Sequence, residues 1–169
     1  DGWSVLPLCW TDEAGDCACG RHHSPKNAGK APLTSHGVDD ATTDLAQVDI
    51  WSNRWPHANW GIACTGVTAV DIDDTDLAAL FKEDEELKQN HCMVSTPRRN
   101  GLHIYLVEDD SVQASRVLFS QDGRHLGELQ RAGRYVVGPG SRIGSGYYRP
   151  ITNNLISKYR FLPLYLPTE

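Results

Sequence analysis

The sequence has no long hydrophobic run. None of its apolar stretches approaches the roughly 20 residues that a membrane-spanning helix needs. Its first residues, Asp1-Gly2-Trp3, lack the basic start and the apolar stretch of a signal peptide. These absences predict no membrane partner and no secretion. The first residue is not Met, so we expect a piece of a longer protein.

Other features that the sequence lacks narrow the class of protein further. There is no internal repeat and no low-complexity linker, so we expect one domain over residues 1–169, or one domain that carries a small appendage. Apolar residues make up 40% of the chain, which is enough to bury a core and excludes a disordered protein. The five cysteines are odd in number, and Cys64 and Cys92 stand alone in apolar runs. A disulfide framework is therefore not expected, and a reducing cytoplasm is predicted.

Three cysteines fall in a loop that has no hydrophobic period. Cys9, Cys17 and Cys19 are followed by His22 and His23. Four such soft ligands can hold zinc tetrahedrally, and we predict a structural zinc site in the loop 9–32, with His23 as the fourth ligand and His22 as the alternative. Free thiols in a mobile loop are the other interpretation.

Hydrophobic spacing predicts an α+β fold rich in hairpins. Strands are expected at 3–8, 59–64, 67–73, 93–96, 102–107, 126–130 and 135–138. The last six are expected to form three hairpins, which pair 59–64 with 67–73, 93–96 with 102–107, and 126–130 with 135–138. A helix is expected from an N-cap at Asp44 to Pro56, and another over 75–90 with Leu77, Leu80, Phe81 and Leu87 inward. The apolar tail 159–166 is expected to pack on the core.

The net charge of −6 hides an asymmetry. Residues 1–97 hold 6 Lys+Arg and 16 Asp+Glu, for −10, whereas residues 98–169 hold 10 and 6, for +4. Nearly all of the later basic residues are arginines, whose guanidinium groups match paired phosphate oxygens. Ordinary solvated arginine is the alternative interpretation.

Asp71 and Asp73 are two residues apart at the end of an apolar strand, so alternation places both on one face. Two adjacent anions are stabilised by a cation, and carboxylates suit Mg²⁺ or Mn²⁺. A polar strand end is the alternative. An EF-hand does not fit, because Asp76 stands where that loop needs Gly. Glu128 on a separate strand is a candidate third carboxylate, or an exposed strand residue.

His103 follows a tight turn that carries Arg98 and Arg99. A strand histidine beside two arginines suits a nucleotide triphosphate, although a structural histidine is the alternative. Thr96 and the amides of the turn would add phosphate donors. The later turn 138–142 contains two glycines that allow a backbone to approach a ligand closely.

These elements together resemble the bifunctional primase-polymerase domain of the archaeo-eukaryotic primase superfamily. The resemblance covers most of the chain in order: Gly2-Trp3-Ser4-Val5-Leu6-Pro7-Leu8, Gly29-Lys30-Ala31-Pro32, Ala41-Thr42-Thr43-Asp44, Trp55-Pro56-His57-Ala58-Asn59-Trp60-Gly61-Ile62, Asp71-Ile72-Asp73, Gly101-Leu102-His103, Gly127-Glu128-Leu129 and Tyr135-Val136-Val137-Gly138-Pro139-Gly140-Ser141. Two positions depart from the family pattern, since Glu128 stands where Asp is usual and Ala31 stands where His is frequent.

The resemblance implies an RRM-like antiparallel sheet with an added N-terminal αβ part. It implies template-directed nucleotidyl transfer from dNTP or NTP on a single-stranded DNA template, and a C-terminal helicase in the same polypeptide. The catalytic set would be Asp71, Asp73, Glu128 and His103, of which the three carboxylates bind Mg²⁺ or Mn²⁺. Nucleotide contacts would come from the following residues: Lys30, Asn59, Thr96, Arg99, His103 and Ser141.

The residues leave two alternative functions open. A metal-dependent nuclease of the replication-initiator type needs a His-hydrophobe-His pair, whereas His22 and His23 are adjacent. A nucleic-acid-binding module with a zinc loop and a weakened catalytic site is the second alternative, because Glu128 is longer than the usual Asp and the net charge is negative.

Overall fold

The computed structural model describes residues 2–107 and 114–152, and the apolar tail 159–166, which is expected to pack on the core, lies outside them. The chain is a mixed α+β protein with antiparallel sheets. It forms two compact units, and neither is continuous in sequence. The first unit comprises Asp1–Ala63 and Tyr135–Tyr148, and the second comprises Cys64–Arg134 and the residues from Arg149 onward.

The first unit contains a three-stranded antiparallel sheet. Its strands are β1 (Val5–Leu8), β2 (Asn59–Ala63) and β8 (Tyr135–Val137), in the order β1-β2-β8. A small hairpin of β9 (Arg142–Ile143) and β10 (Gly146–Tyr147) follows. The predicted opening strand is confirmed, and the long loop after it is held by backbone hydrogen bonds, among them Cys9 N to Ala31 O at 2.7 Å.

Helix α1 (Leu45–Arg54) begins where the sequence predicts, because Asp44 accepts a hydrogen bond from Ala46 N as an N-cap. The helix ends at Trp55, before Pro56. None of its residues is buried, and Leu45 is 78% exposed. The apolar spacing therefore predicted the helix correctly without marking a core-facing stripe.

The second unit is built on a six-stranded sheet in the order β11-β4-β5-β3-β7-β6. The strands are β3 (Val67–Ile72), β4 (Cys92–Ser95), β5 (Leu102–Val107), β6 (Arg116–Phe119), β7 (His125–Gln130) and β11 (Arg149–Pro150). Helices α2 (Thr75–Glu83) and α3 (Glu85–Asn90) connect β3 to β4. One face of the sheet carries Val70, Ile72, Leu102 and Ile104, and these pack in a core with Phe81 and Leu87 from the helices.

Two of the three predicted hairpins are wrong. β2 pairs with β1 and β8 instead of β3, and β7 pairs with β3 and β6 instead of β8. The hairpin of β4 and β5 is confirmed, with Ser95 opposite Leu102. Burial explains the difference, because β2 and β3 are buried almost throughout and each takes two strand partners as a central strand.

The predicted helix over 75–90 is two helices. Asp84 ends α2 and caps α3 by accepting a hydrogen bond from Leu87 N at 2.9 Å. Phe81 and Leu87 are buried as predicted, whereas Leu80 is 63% exposed, because α2 turns Ala78 and Phe81 toward the core. The prediction that Leu80 faces inward is therefore wrong.

Candidate active site and the Cys/His group

The candidate active site of the second unit is centred on Asp71 in β3. Asp71 lies opposite His103 of β5 on one side and opposite Glu128 of β7 on the other. Residues that pair across an antiparallel sheet share a face, so the three side chains leave the sheet on the same side. That face is the one opposite the core of Val70 and Ile72.

His103 is held closely against Asp71. Its Nε2 lies 3.4 Å from Asp71 Oδ1, and its Nδ1 lies 3.4 Å from the hydroxyl of Tyr105, whose ring meets the imidazole edge-on. His103 is only 4% exposed, whereas the Asp71 side chain keeps 30% of its surface accessible. The arrangement orients the imidazole and leaves the carboxylate able to meet a ligand.

Asp73 follows the end of β3. Its backbone N–H and that of Asp74 both donate to Leu126 O, at 3.0 and 3.1 Å. Asp74 supplies the N-cap of α2 and ion-pairs with Arg124 at 3.4 Å. The helix-capping role is thus taken by Asp74, and among the described residues no hydrogen bond or ion pair engages the Asp73 carboxylate.

Glu128 is half-buried and its Oε2 accepts a hydrogen bond from Gln130 Nε2. The preceding residue, Gly127, has φ +153°, and a Cβ there would lie 1.9 Å from Asp71 O. β7 therefore approaches β3 most closely beside Asp71, which only glycine permits. On the other side, a Cβ on Gly101 would lie 2.6 Å from Ile72 O.

The turn between β4 and β5 has a strained backbone. Arg99 and Asn100 have φ values of 50° and 52°, in the left-handed region that costs non-glycine residues roughly 1–2 kcal/mol. Lys82 Nζ donates to the Asn100 side chain at 2.8 Å, and Thr75 Oγ1 donates to Arg99 O at 3.1 Å. Burial lowers the pKa of Lys82. Thr96, a predicted nucleotide contact together with Arg99, is buried beside this turn.

The other three predicted nucleotide contacts belong to the first unit. Asn59 is buried, and both polar atoms of its side chain are hydrogen-bonded. Its Nδ2 donates to Gly29 O and Arg142 O, and its Oδ1 accepts from Arg142 N. Ser141 Oγ accepts from Trp60 N at 3.0 Å. Lys30 contributes its carbonyl, which accepts from the Tyr135 hydroxyl at 2.9 Å. These bonds connect the loops of the first unit, and the predicted nucleotide contacts stay predictions.

Four residues of the long loop come together as the sequence predicts. The ligand atoms of Cys9, Cys17, Cys19 and His23 lie within 4.8 Å of one another. Among the described residues, this is the one group of three or more such side chains that is drawn so close. His22 does not belong to it. The three predicted carboxylate ligands are therefore less tightly grouped than the cysteines.

The donor set suits zinc. Ligands of a tetrahedral zinc lie about 3.8 Å apart when both are sulfur, as follows from Zn–S bonds of about 2.3 Å. Cys17 Sγ lies 3.3 Å from Cys19 Sγ and 3.2 Å from His23 Nδ1. These distances need to lengthen only slightly to match the ligand spacing of a tetrahedral zinc. Burial raises the pKa of Cys9 to about 11. Burial also opposes ionisation of Cys17, but hydrogen bonds from Cys19 and His23 lower its pKa to about 7.

Several supporting residues were missed by the sequence reasoning. Tyr105 and Gln130 each stand two positions after a predicted site residue, on the same strand face, and hydrogen-bond to it. Strand alternation could have indicated both. Lys82 gave no such signal, because its contact with Asn100 joins a helix to a distant turn.

Residues 1–164, nearly the whole chain, match the family model described as bifunctional DNA primase/polymerase, N-terminal (Prim-Pol). The chain belongs to this family. Membership implies primase- or polymerase-type nucleotidyl transfer on DNA and nucleotide substrates, with metal dependence. No curated protein matches this Prim-Pol chain. Within the part of the chain that the structure describes, no helix is long and apolar enough to cross a membrane.

Proposed function

We propose that this Prim-Pol chain synthesises primers or extends DNA by template-directed attack of a 3′-hydroxyl on a nucleotide α-phosphate, with release of pyrophosphate. The observation that carries the proposal is the register of three strands, which sets Asp71 between His103 and Glu128 on one sheet face. Primer synthesis and extension are the two forms of this activity that an assay can separate.

Asp71, Asp73 and Glu128 are the residues proposed to hold Mg²⁺ or Mn²⁺, because all three offer the hard oxygen ligands that these ions prefer. When bound, such ions neutralise phosphate charge and activate the attacking hydroxyl. The Asp71 carboxylate is partly exposed, and the Asp73 carboxylate has no hydrogen bond or ion pair among the described residues. Both can therefore serve as metal ligands. Glu128 completes the set after releasing Gln130.

His103 acts on Asp71 in this proposal. With one ring nitrogen at Tyr105 and the other at Asp71, the imidazole holds the carboxylate in one orientation. The predicted contact of His103 with the incoming nucleotide stays a prediction. Arg99 and the turn amides are proposed to meet the triphosphate, since Arg99 lies in the left-handed turn that leads into β5 and a guanidinium matches paired phosphate oxygens.

The second unit supports an RRM-like layout. Its strands β4-β5-β3-β7 lie in that order in the sheet, with helices between β3 and β4. The first unit would be the added N-terminal αβ part, and its Cys/His group is proposed to bind structural zinc. A helicase in the same polypeptide, a single catalytic domain and a cytoplasmic location stay predictions.

The test is an extension assay with labelled dNTP or NTP, Mg²⁺ or Mn²⁺, and primed or unprimed single-stranded templates. Asp71→Asn and Asp73→Asn are each expected to reduce extension by about 100-fold or more, because several kcal/mol of metal assistance are lost. Asp49→Asn, an exposed carboxylate on α1, is the matched control and should extend normally.

Other outcomes would overturn the proposal. DNA binding without extension under any condition would favour the nucleic-acid-binding module. Cleavage instead of extension would favour a nuclease. The position of His23 speaks against a nuclease histidine pair, because this residue lies in the Cys/His group.

A further inference from the structure

The first unit contains a small pocket apart from the residues assigned so far to metal binding. It is lined by Trp10, Thr11, His57, Asn59 and Arg142, and its volume is about 280 Å³. Small-molecule sites typically span roughly 300–1,000 Å³, so this cavity lies just below that range and can hold at most one nucleotide-sized group.

The floor of the pocket is a rigid polar network. Thr11 and Asn59 are both buried. Thr11 Oγ1 accepts from Gly144 N at 2.8 Å, and Asn59 holds both the backbone N–H and the carbonyl of Arg142, at 2.9 and 2.8 Å. These bonds satisfy the buried polar atoms and fix the backbone position from which the Arg142 side chain extends.

The walls of the pocket are aromatic and cationic. The rings of Trp10 and His57 lie 6.1 Å apart at 58°, a tilted arrangement in which the two rings do not stack face to face. Among the described residues, no hydrogen bond engages the Trp10 indole N–H or the His57 ring nitrogens. No carboxylate of the described residues lies within 4.0 Å of the Arg142 guanidinium.

We propose that this pocket binds one nucleotide of single-stranded DNA, with its base stacked on Trp10 and its phosphate at Arg142. The choice of ligand class rests on the proposed function. Unstacked bases gain affinity on aromatic faces regardless of sequence, and a guanidinium pairs with phosphate oxygens. One unpaired guanidinium matches the single charge of a phosphodiester, whereas a nucleoside triphosphate carries several charges.

The test measures binding of a labelled single-stranded oligonucleotide by fluorescence anisotropy over a range of salt concentrations, using the full chain. Trp10→Ala is expected to weaken binding about tenfold through lost stacking, and Trp10→Phe to restore most of it. Arg142→Ala is expected to weaken binding and to reduce the slope of log affinity against log salt by about 0.7, the value for one phosphate contact. Trp10→Ala should leave that slope unchanged.

Matched controls are Phe119→Ala, which removes an exposed ring that also contacts a histidine, and Arg134→Ala, which removes an exposed arginine. Both should bind like the wild type. If Trp10→Ala and Arg142→Ala also bind like the wild type while the wild type extends primers, the pocket assignment is overturned and the proposed function stands. A loss of nucleoside triphosphate binding without a loss of oligonucleotide binding overturns it as well. A wild-type chain that neither binds nor extends DNA overturns the proposed function itself.

Discussion

At the scale of single residues, the candidate site depends on close backbone contact. Gly127 allows β7 to come against Asp71, and its φ of +153° is a conformation that side chains rarely adopt. Alternation along the strands only suggested Asp71 and Glu128 as candidates, and the ordered resemblance to the family assigned them and His103 to one site. The need for glycine at 127 depends on the partner strand, which the local sequence does not name.

Gly127→Ala should therefore destabilise the chain strongly. The added Cβ would meet Asp71 O at 1.9 Å, and we expect a loss of about 3 kcal/mol in the free energy of unfolding, from overpacking together with backbone strain. Urea unfolding measures it. Gly133→Ala is the control, because Gly133 also has a positive φ, +81°, but open space around it. It should lose only about 1 kcal/mol, and equal losses would show that strain alone accounts for the effect.

At the scale of elements, the sequence predicted correctly the features that depend on residues close together in the chain. The N-cap at Asp44, the β4–β5 hairpin and the first strand follow from nearby residues, and the structure confirms them. The two failed hairpins depend on competition between strands that are distant in sequence. The helix expected over 75–90 is instead two helices, because Asp84 in its middle ends the first helix and caps the second.

Asp84→Ala is expected to lower the free energy of unfolding by about 1 kcal/mol, the usual cost of losing an N-cap. The reason is that Leu87 N loses its hydrogen bond at the start of α3, whose Leu87 side chain is buried in the core. Thermal or urea unfolding followed by circular dichroism measures the change. Glu86→Ala, at an exposed position of the same helix, should change stability by less than about 0.5 kcal/mol. An unchanged stability in Asp84→Ala would contradict the capping role.

At the scale of the whole molecule, the long loop of the first unit is held in several ways. Apolar side chains such as Leu33 are buried, backbone hydrogen bonds connect its ends, and Cys9, Cys17, Cys19 and His23 come together within it. The sequence predicted the members of the group because soft ligands cluster in one loop. The sequence favoured His23, with His22 as the alternative, and the structure brings His23 and not His22 into the group.

Purified chain is expected to carry one zinc ion, and His23→Ala to lose it while the adjacent His22→Ala retains it. Metal analysis gives the ratio of zinc to protein, and a thermal melt with and without chelator gives the effect on stability. Because a structural zinc contributes directly to folding, chelation should lower the melting temperature of the wild type and of His22→Ala. A ratio near zero in the wild type would contradict the zinc assignment.

The order of the chain through the two units has a consequence for biosynthesis. The first unit receives its third strand, Tyr135–Val137, only after the whole segment 64–134 has been translated. Strands β3, β4, β5 and β7 all lie between residues 67 and 130, and the ends of their segment are joined where Cys64 N donates to Arg134 O at 2.9 Å. A ribosome thus finishes the central strands of the six-stranded sheet before the three-stranded sheet can be complete. Residues 1–63 must therefore wait for residues 135–148 before the sheet of the first unit can form in full.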